Sequence, residues 1–521
     1  MSLNLAMILK ENAVRIPNKT AVICDEQRID YRDLDRQINR LANTLVSLGV
    51  KRGQAVTLML PNIPEFVVAY FAIVKIGAIC VPINTLYKER EIEYILSDSE
   101  SVAFIACSGF LKDAVLAFEL CQGCKNLIVV PFPKVETLPA IEGVHAYQDV
   151  VAAAPETCDL VMTDADDIAA LVYTSGTTGK PKGAMLTHFN LFFQAFVLPF
   201  IHWEPGQNDE VALATLPLFH SFGQSCVMNA RLARGSTISL LPAYDPVRVM
   251  EIIQRDKVTH FAGVPTMYLQ ILNHPELGKY DLTSLRECVS GGAPIPIDTL
   301  ERWKQTFGME IREGYGLTET SPVATFNFPG KDTVYGSCGE RIWGCDVKIV
   351  DPQGNTLPPG KDGEVVMRGV NIMKGYYKNQ EATDAVIKDG WFASGDQGRL
   401  DENGYLYIVG RIKDMILRGG YNVYPREIEE LLFEHPAVHE CAVFGIPDDE
   451  MGEEVKASVF LKPDRTATAE ELKQFCKDRI APYKYPRIVE ILSTPLPKGP
   501  SGKILKRELR QMHIDAQQKK S

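Results

Sequence analysis

Residues 173 to 183 read Tyr-Thr-Ser-Gly-Thr-Thr-Gly-Lys-Pro-Lys-Gly and follow directly on the apolar run from Ile168 to Val172. That composition suits an anion. Gly176, Gly179 and Gly183 are expected to take positive φ and turn backbone N–H groups toward a phosphate. Thr174, Ser175, Thr177 and Thr178 add hydroxyl donors, and Lys180 and Lys182 add charge. Glycine, serine and threonine also dominate linkers, so the segment alone leaves a plain surface connection open. It is not a Walker A loop: Thr174 stands where the first glycine belongs, and Pro181 follows Lys180 in place of the hydroxyl. Proline also lacks the N–H that an anion-binding helix start would offer. The loop is therefore expected to join two strands, the second being 183–187.

Five further clusters follow. Glu313-Gly314-Tyr315-Gly316-Leu317-Thr318-Glu319 sets an aromatic between two glycines, then a hydroxyl and a carboxylate. A planar base can stack on Tyr315, Thr318 can bond a phosphate, and Glu319 can hold Mg²⁺, whose ligands are hard oxygens; a common Gly-Tyr-Gly turn is the plain alternative. Ser290-Gly291-Gly292-Ala293 follows an expected strand and offers close backbone approach to a flat ligand edge, or simply a tight turn. Asp396, in Ser394-Gly-Asp, can accept bonds from ribose hydroxyls or cap a turn. Arg411 follows Gly410, and Lys503 sits on a glycine loop near the carboxyl end.

These side chains need a scaffold. From about residue 35 to 310, helical patterns alternate with short apolar strands, at 55–60, 102–105, 127–130, 211–214, 237–241 and 287–290. Such alternation predicts mostly parallel sheets covered by helices. From about 336 to 409 the texture becomes β-rich, with Asp351-Pro-Gln-Gly and Asp401-Glu-Asn-Gly turns, predicting a small β-barrel or sheet. After Arg411 a shorter α+β pattern begins. The expected fold is α/β, with a large N-terminal domain over 1–409, a hinge at 410–414 and a small C-terminal α+β domain over 415–521.

Composition narrows the partners. The chain has 521 residues, a net charge of −11, 45% hydrophobic and 23% charged residues, which is ordinary globular composition of more than one structural unit. The negative charge argues against nucleic-acid binding. Twelve scattered cysteines, with no basic and apolar leader, read as reduced thiols in the cytoplasm. Cys121 and Cys124 have C-x-x-C spacing without the second half of a zinc set. The most apolar window, 66–81, is broken by Lys75 and falls short of the roughly 20 residues that span a bilayer.

In this order and spacing, over essentially the whole chain, these segments resemble the adenylate-forming superfamily, which contains acyl-CoA synthetases, peptide-synthetase adenylation domains and beetle luciferases. The loop at 173–183 matches its signature, and Tyr-Gly-Leu-Thr-Glu, Ser-Gly-Asp, Gly-Arg-x-Lys-Asp and the terminal Gly-Lys recur where that family has them. The resemblance implies two half-reactions in one site. A carboxylate attacks the α-phosphate of ATP to give acyl-AMP and pyrophosphate, and a thiol then displaces AMP. It implies Lys503 bridging carboxylate and phosphate, Thr174 and Glu319 near Mg²⁺, Tyr315 on adenine, Asp396 on the ribose and Arg411 near ribose or phosphate. It also implies a C-terminal domain that rotates about Lys413, withdrawing Lys503 and bringing Arg418, Gly419 and Gly420 to a pantetheine tunnel.

Amino-acid-activating relatives hold the substrate's ammonium with an aspartate, but residues 216 to 230 contain no carboxylate. The run Leu216-Pro-Leu-Phe-His-Ser-Phe-Gly223 resembles fatty acyl-CoA synthetases, with His220 beside the acyl carboxylate; a histidine packed among aromatics is the alternative. Val264, with Gly291 and Gly316, is expected to wall an apolar acyl pocket. Only 18 residues follow Lys503, leaving no room for a fused carrier domain, so CoA is the expected acceptor. Lys484 and Arg487 are candidates for its phosphates, or lie on a solvated face. The expected activity is AMP-forming ligation of a medium- or long-chain fatty acid to CoA, by a monomer or homodimer. An aromatic or alicyclic acid as substrate, and a non-catalytic adenylate-binding protein, are the alternatives.

Overall fold

The computed structural model describes residues 2–132, 138–174, 180–201, 209–419, 421–448, 450–499 and 503–518. Its centre is the helix Pro64–Lys75, in which every residue except Glu65 is buried. Proline at its first turn costs no hydrogen bond and presets φ. A helix that is apolar all round must be covered all round: it shares one core cluster with Val56 and Leu58 of one sheet and Ala212, Leu213 and Ala214 of another. This explains the apolar window without a membrane. The Lys75 ammonium lies 3.2 Å from Asp35 Oδ1 and donates to Asn39, and no described helix is long and apolar enough to cross a membrane.

The two sheets flanking this helix have the alternation that the sequence predicts. Among the described residues one has nine strands, in the order Glu340–Arg341, Val323–Phe326, Ile311–Gly316, Glu287–Ser290, His260–Gly263, Val211–Ala214, Thr237–Leu240, Thr20–Cys24, Gln27–Asp30. The six strands from Ile311–Gly316 to Thr20–Cys24 are parallel. The other runs Val144–Ala146, Asn126–Val130, Ala103–Cys107, Ala55–Met59, Ile79–Pro82, Ile168–Thr174, Lys182–Thr187, with only the last pair antiparallel. Cys121 and Cys124 are free, buried thiols in the core against this second sheet. Burial pushes the Cys124 thiol up to about 12, so it packs as a small apolar group.

The β-rich stretch is a five-stranded antiparallel sheet built on Cys345–Val350, Gly363–Gly369 and Trp391–Leu400, with Leu406–Arg411 beside the last. No described pairing closes it into a barrel, so the small-sheet form of the expectation is the one present. Beyond it the chain makes a 3₁₀ turn at Ile412–Asp414 and enters a separate sheet with its own core around Ile416, Ile428, Val443 and Val459.

Candidate active site

In open α/β sheets ligands bind beyond the carboxyl ends of parallel strands, and the motifs stand there. Register pairs Gly263 with Ser290 and Ser290 with Glu313, so Val264, Gly291 and Gly314 to Gly316 emerge side by side. A Cβ on Gly292, which has φ +81°, would lie 3.7 Å from the Val264 side chain, and Gly291 packs against the Phe222 ring. Gly316 is required sterically: a Cβ there would stand 1.7 Å from the Pro322 carbonyl oxygen. That tight turn, in which Thr320 Oγ1 accepts from Leu317 N–H at 2.9 Å, presents Thr318 and Glu319. Thr318 Oγ1 lies 3.3 Å from Ser221 Oγ.

The strands on either side of the signature loop pair antiparallel, Tyr173 opposite Gly183 and Thr174 opposite Lys182. Ser175, Gly176, Thr177, Thr178 and Gly179 lie outside the described residues. Gly183 departs from expectation. It is part of the strand Lys182–Thr187 and is absent from the residues with positive φ; its lack of a side chain instead makes room for the Tyr173 ring. The base of the loop is clamped by the helix Glu89–Asp98: Tyr173 donates to Asp98 at 2.6 Å, Tyr94 donates to the Pro181 carbonyl at 3.0 Å, and Lys180 Nζ lies 5.0 Å from the Tyr94 ring centre. A cavity of about 330 Å³ with Lys180, Lys182 and Lys378 in its wall flanks it.

The loop's second strand also reaches the candidate metal carboxylate. Residues 374 to 377 hydrogen-bond to Gly183 and Met185, which places the Tyr376 ring 5.1 Å from Lys182 Nζ. The Tyr376 hydroxyl then donates to Glu319 Oε1 at 2.8 Å. Glu319 is buried, so this bond fixes its orientation. No sequence motif marked Tyr376. Tyr376→Phe is expected to lower ATP-dependent turnover by about tenfold, the loss of one hydrogen bond to a charged group. Steady-state kinetics in ATP check this.

Tyr315, Asp396 and Arg411 converge. Asp396 and Arg411 are paired across two antiparallel strands, with Arg411 Nε 3.0 Å from Asp396 Oδ1. The Tyr315 hydroxyl donates to Asp396 Oδ2 at 2.6 Å. Burial and the Asp396 carboxylate raise the Tyr315 pKa far above its ordinary value, so the phenol stays a donor. A carboxylate has about four lone-pair sites; two are used, and a ribose diol needs the other two. Burial works to lower the Arg411 pKa, but Asp396 and Asp414 hold it above its ordinary value.

Glu313 lies beneath this group, 4% exposed, accepting from Ile295 N–H at 3.3 Å. Burial pushes its carboxyl up to about 7, against the opposing cation of Arg426. A carboxyl raised in the folded state stabilises the fold below its unfolded value of about 4.3, and that contribution is lost as pH rises through about 7. Relative to Glu313→Gln, the wild type is expected to lose up to about 3 kcal/mol over that window. Melting curves of the ligand-free proteins at about pH 5 and pH 7.5 check this, and equal shifts in both proteins would contradict it.

His220 lies within the electrostatic reach of Lys503. His220 Nδ1 accepts from Phe222 N–H at 3.3 Å, which leaves the proton on Nε2 in the neutral ring. The segment before it is braced by buried Asn62, which donates to the Ala214 and Leu216 carbonyls at 2.9 Å and accepts from Leu218 N–H. Crowding lowers the His220 pKa, and the Lys503 cation lowers it further. Crowding also lowers that of Lys503, with Arg411 adding to the effect and Asp396 and Asp414 opposing it. Both side chains remain open to cleft solvent, which screens part of each effect.

Lys503 stands on a short hairpin. Gly499 N–H donates to its carbonyl at 2.8 Å and Leu505 N–H to the Pro497 carbonyl at 2.9 Å. Buried Glu440 anchors the base, accepting from Leu496 N–H at 3.1 Å and from the Lys498 ammonium. The residues assigned to CoA are otherwise engaged. Arg418 is buried against Glu454 at 2.9 Å and closer, Lys484 binds both Glu427 oxygens at 2.7 Å, and Arg487 stacks 3.8 Å from the Tyr485 ring centre. Gly419 has φ +55°, and Gly420 lies outside the described residues. Among the described residues Thr174 Oγ1 donates to the Lys182 carbonyl, at 3.5 Å. Ala293 follows the Gly291–Gly292 turn, half-buried.

Comparison with known proteins agrees with this geometry. A family model for AMP-binding enzymes matches residues 9–377, and one for the C-terminal domain of AMP-binding enzymes matches 427–503. The chain is 38% identical to a long-chain-fatty-acid–CoA ligase of Bacillus subtilis, over 97% of this chain and 94% of the relative. It is also 38% identical to a feruloyl-CoA synthase of Amycolatopsis, over 95% and 96%. The solved structure of the anthranilate CoA ligase AuaEII with anthranoyl-AMP superposes with a TM-score of 0.92 at 33% identity, covering 99% of this chain and 98% of that one. The chain belongs to the adenylate-forming superfamily and, within it, to the acyl-CoA synthetases, which are AMP-forming acid–thiol ligases.

Proposed function

We propose that this enzyme activates a medium- or long-chain fatty acid with ATP and passes the acyl group to CoA. The observation that carries the reading is the meeting of Tyr315, Asp396, Arg411, His220 and Lys503 in one cleft at the strand ends. Adenine stacks on Tyr315 against the Gly291–Ala293 turn, and the ribose hydroxyls donate to the free lone pairs of Asp396. The β- and γ-phosphates lie in the Thr174–Lys180 loop. A carboxylate and a triphosphate repel, so cations must offset the charge that builds as one attacks the other. Lys503 bridges the acid's carboxylate and the α-phosphate, and works by charge. His220, neutral, points its Nε2 proton toward the acid's carboxylate, while Arg411 steadies the ribose and phosphate.

The residues present fit Mg²⁺. Glu319 is a buried hard-oxygen ligand with one oxygen held by Tyr376, and Thr174 stands at the mouth of the loop. When bound, the ion neutralises triphosphate charge. The carboxylate oxygen bonds to the α-phosphorus as the bond to pyrophosphate breaks. In the second step the CoA thiol, giving up its proton, bonds to the acyl carbon and AMP leaves.

The proposed units are 1–409 and 415–521, joined at 410–414 with Lys413 as pivot. Rotation there would carry Arg418, Gly419, Gly420, Lys484 and Arg487 toward CoA. Its free cysteines support a cytoplasmic protein, monomeric or homodimeric. A second reading, an aromatic or alicyclic acid, is favoured by Gln224. It is fully buried four residues past His220, in a π-helical segment, and neither atom of its amide has a described partner, a deficit that a polar group on the acid would meet. A panel of fatty and aryl acids, scored by pyrophosphate release with and without CoA, tests both readings. Absence of pyrophosphate release with every acid would leave an adenylate-binding protein instead.

A further inference from the structure

We infer that Arg426 is a positioning residue for acyl-adenylate formation: its guanidinium fastens the C-terminal unit onto the strand that carries Arg411, and so delivers Lys503 to the cleft. The inference rests on the reaction proposed above. Arg426 is the second residue of the helix Pro425–Phe433, and its side chain is 11% exposed. Its Nη1 donates to the carbonyl of Ile408, in the strand Leu406–Arg411. Two residues earlier, the Tyr424 hydroxyl accepts from Gln397 Nε2 at 2.9 Å, and Gln397 follows Asp396 on the neighbouring strand. Both docking bonds therefore fall on the strand pair that holds the Asp396–Arg411 ion pair.

Charge supports the geometry. Glu313 is buried without a cation bonded to it among the described residues, and the field of Arg426 opposes the cost of its ionisation. Arg426 supplies that field only while the C-terminal unit is docked. The competing explanation is an ordinary helix-surface pair with Glu430, 2.8 Å away four residues on. Glu430 is 54% exposed, so that pair is worth little, and it does not account for a guanidinium turned inward onto a carbonyl. A part-buried, charge-assisted bond is among the stronger contacts available to hold two units together.

The test separates the half-reactions in full-length protein. Acid-dependent ATP–pyrophosphate exchange reads the first, and CoA consumption from supplied acyl-AMP reads the second. Arg426→Met is expected to lower the exchange kcat about ten- to a hundredfold with KM for ATP and acid nearly unchanged, because the competent arrangement becomes a minor population. Thioester formation should stay within about twofold of wild type, and Arg426→Lys should recover part of the exchange. Tyr424→Phe should show the same split more weakly. Trypsin should also nick Arg411 and Lys413 faster in Arg426→Met, a readout independent of chemistry. Equal loss of both half-reactions, no loss of exchange, a lysine variant no better than methionine, or unchanged nicking overturns the inference. Exchange by the wild type decides the underlying reaction separately.

Discussion

Lys503→Ala is expected to lower acid-dependent pyrophosphate release by about a hundred- to a thousandfold, the usual cost of removing one group aimed at developing charge in an acyl- or phosphoryl-transfer site. Thioester formation from supplied acyl-AMP should be nearly untouched. The ammonium lies among His220, Arg411 and Asp396, at the end of a hairpin whose base is locked by Glu440 and Lys498. Removing it leaves the nucleotide contacts of Tyr315 and Asp396 in place, so KM for ATP should change less than kcat. Rapid-quench assays of each half-reaction give the two rates directly. A parallel fall in both would mean that Lys503 supports the fold or the CoA step, and the assignment would fail.

Lys413→Pro is expected to produce the mirror image. Lys413 is the middle residue of the 3₁₀ turn Ile412–Asp414, where φ is near the value that a proline ring imposes. The present arrangement, with Lys503 in the cleft, is thereby kept, and adenylation should survive. Turning the C-terminal unit about this residue requires leaving that φ well, which proline forbids at a cost of about 3 kcal/mol, or on the order of a hundredfold in rate. Thioester formation should fall by that factor while acyl-AMP accumulates on the enzyme. Any strain that proline places on Ile412 is common to both steps and cannot create the split. Normal turnover with CoA would remove Lys413 from the mechanism.

What was legible in the sequence follows from what is local. The loop at 173–183, the Tyr315–Glu319 turn and the strand–helix alternation are written in consecutive residues, and the structure has the strands flanking the loop, the turn and the alternation where expected. Gly183 shows the limit: glycine was read as positive φ, whereas here it makes room for Tyr173 across a strand pair. Tyr376 on Glu319, Asn62 beneath the His220 segment and Glu440 under the Lys503 hairpin act over separations of 56 to 156 residues. No spacing rule reaches that far. Arg418 and Lys484 read as free cations because their carboxylate partners, Glu454 and Glu427, are brought to them only by the sheet and helix packing of the C-terminal unit.

The central claim is that a carboxylate attacks the α-phosphate of ATP in this cleft. Incubation with ATP, CoA and a fatty acid labelled with ¹⁸O in its carboxyl group tests it most directly, with mass spectrometry of the products. Transfer of one labelled oxygen into AMP, with unlabelled pyrophosphate, is the predicted result. Label in orthophosphate with ADP as co-product would place the attack on the γ-phosphate and contradict the account.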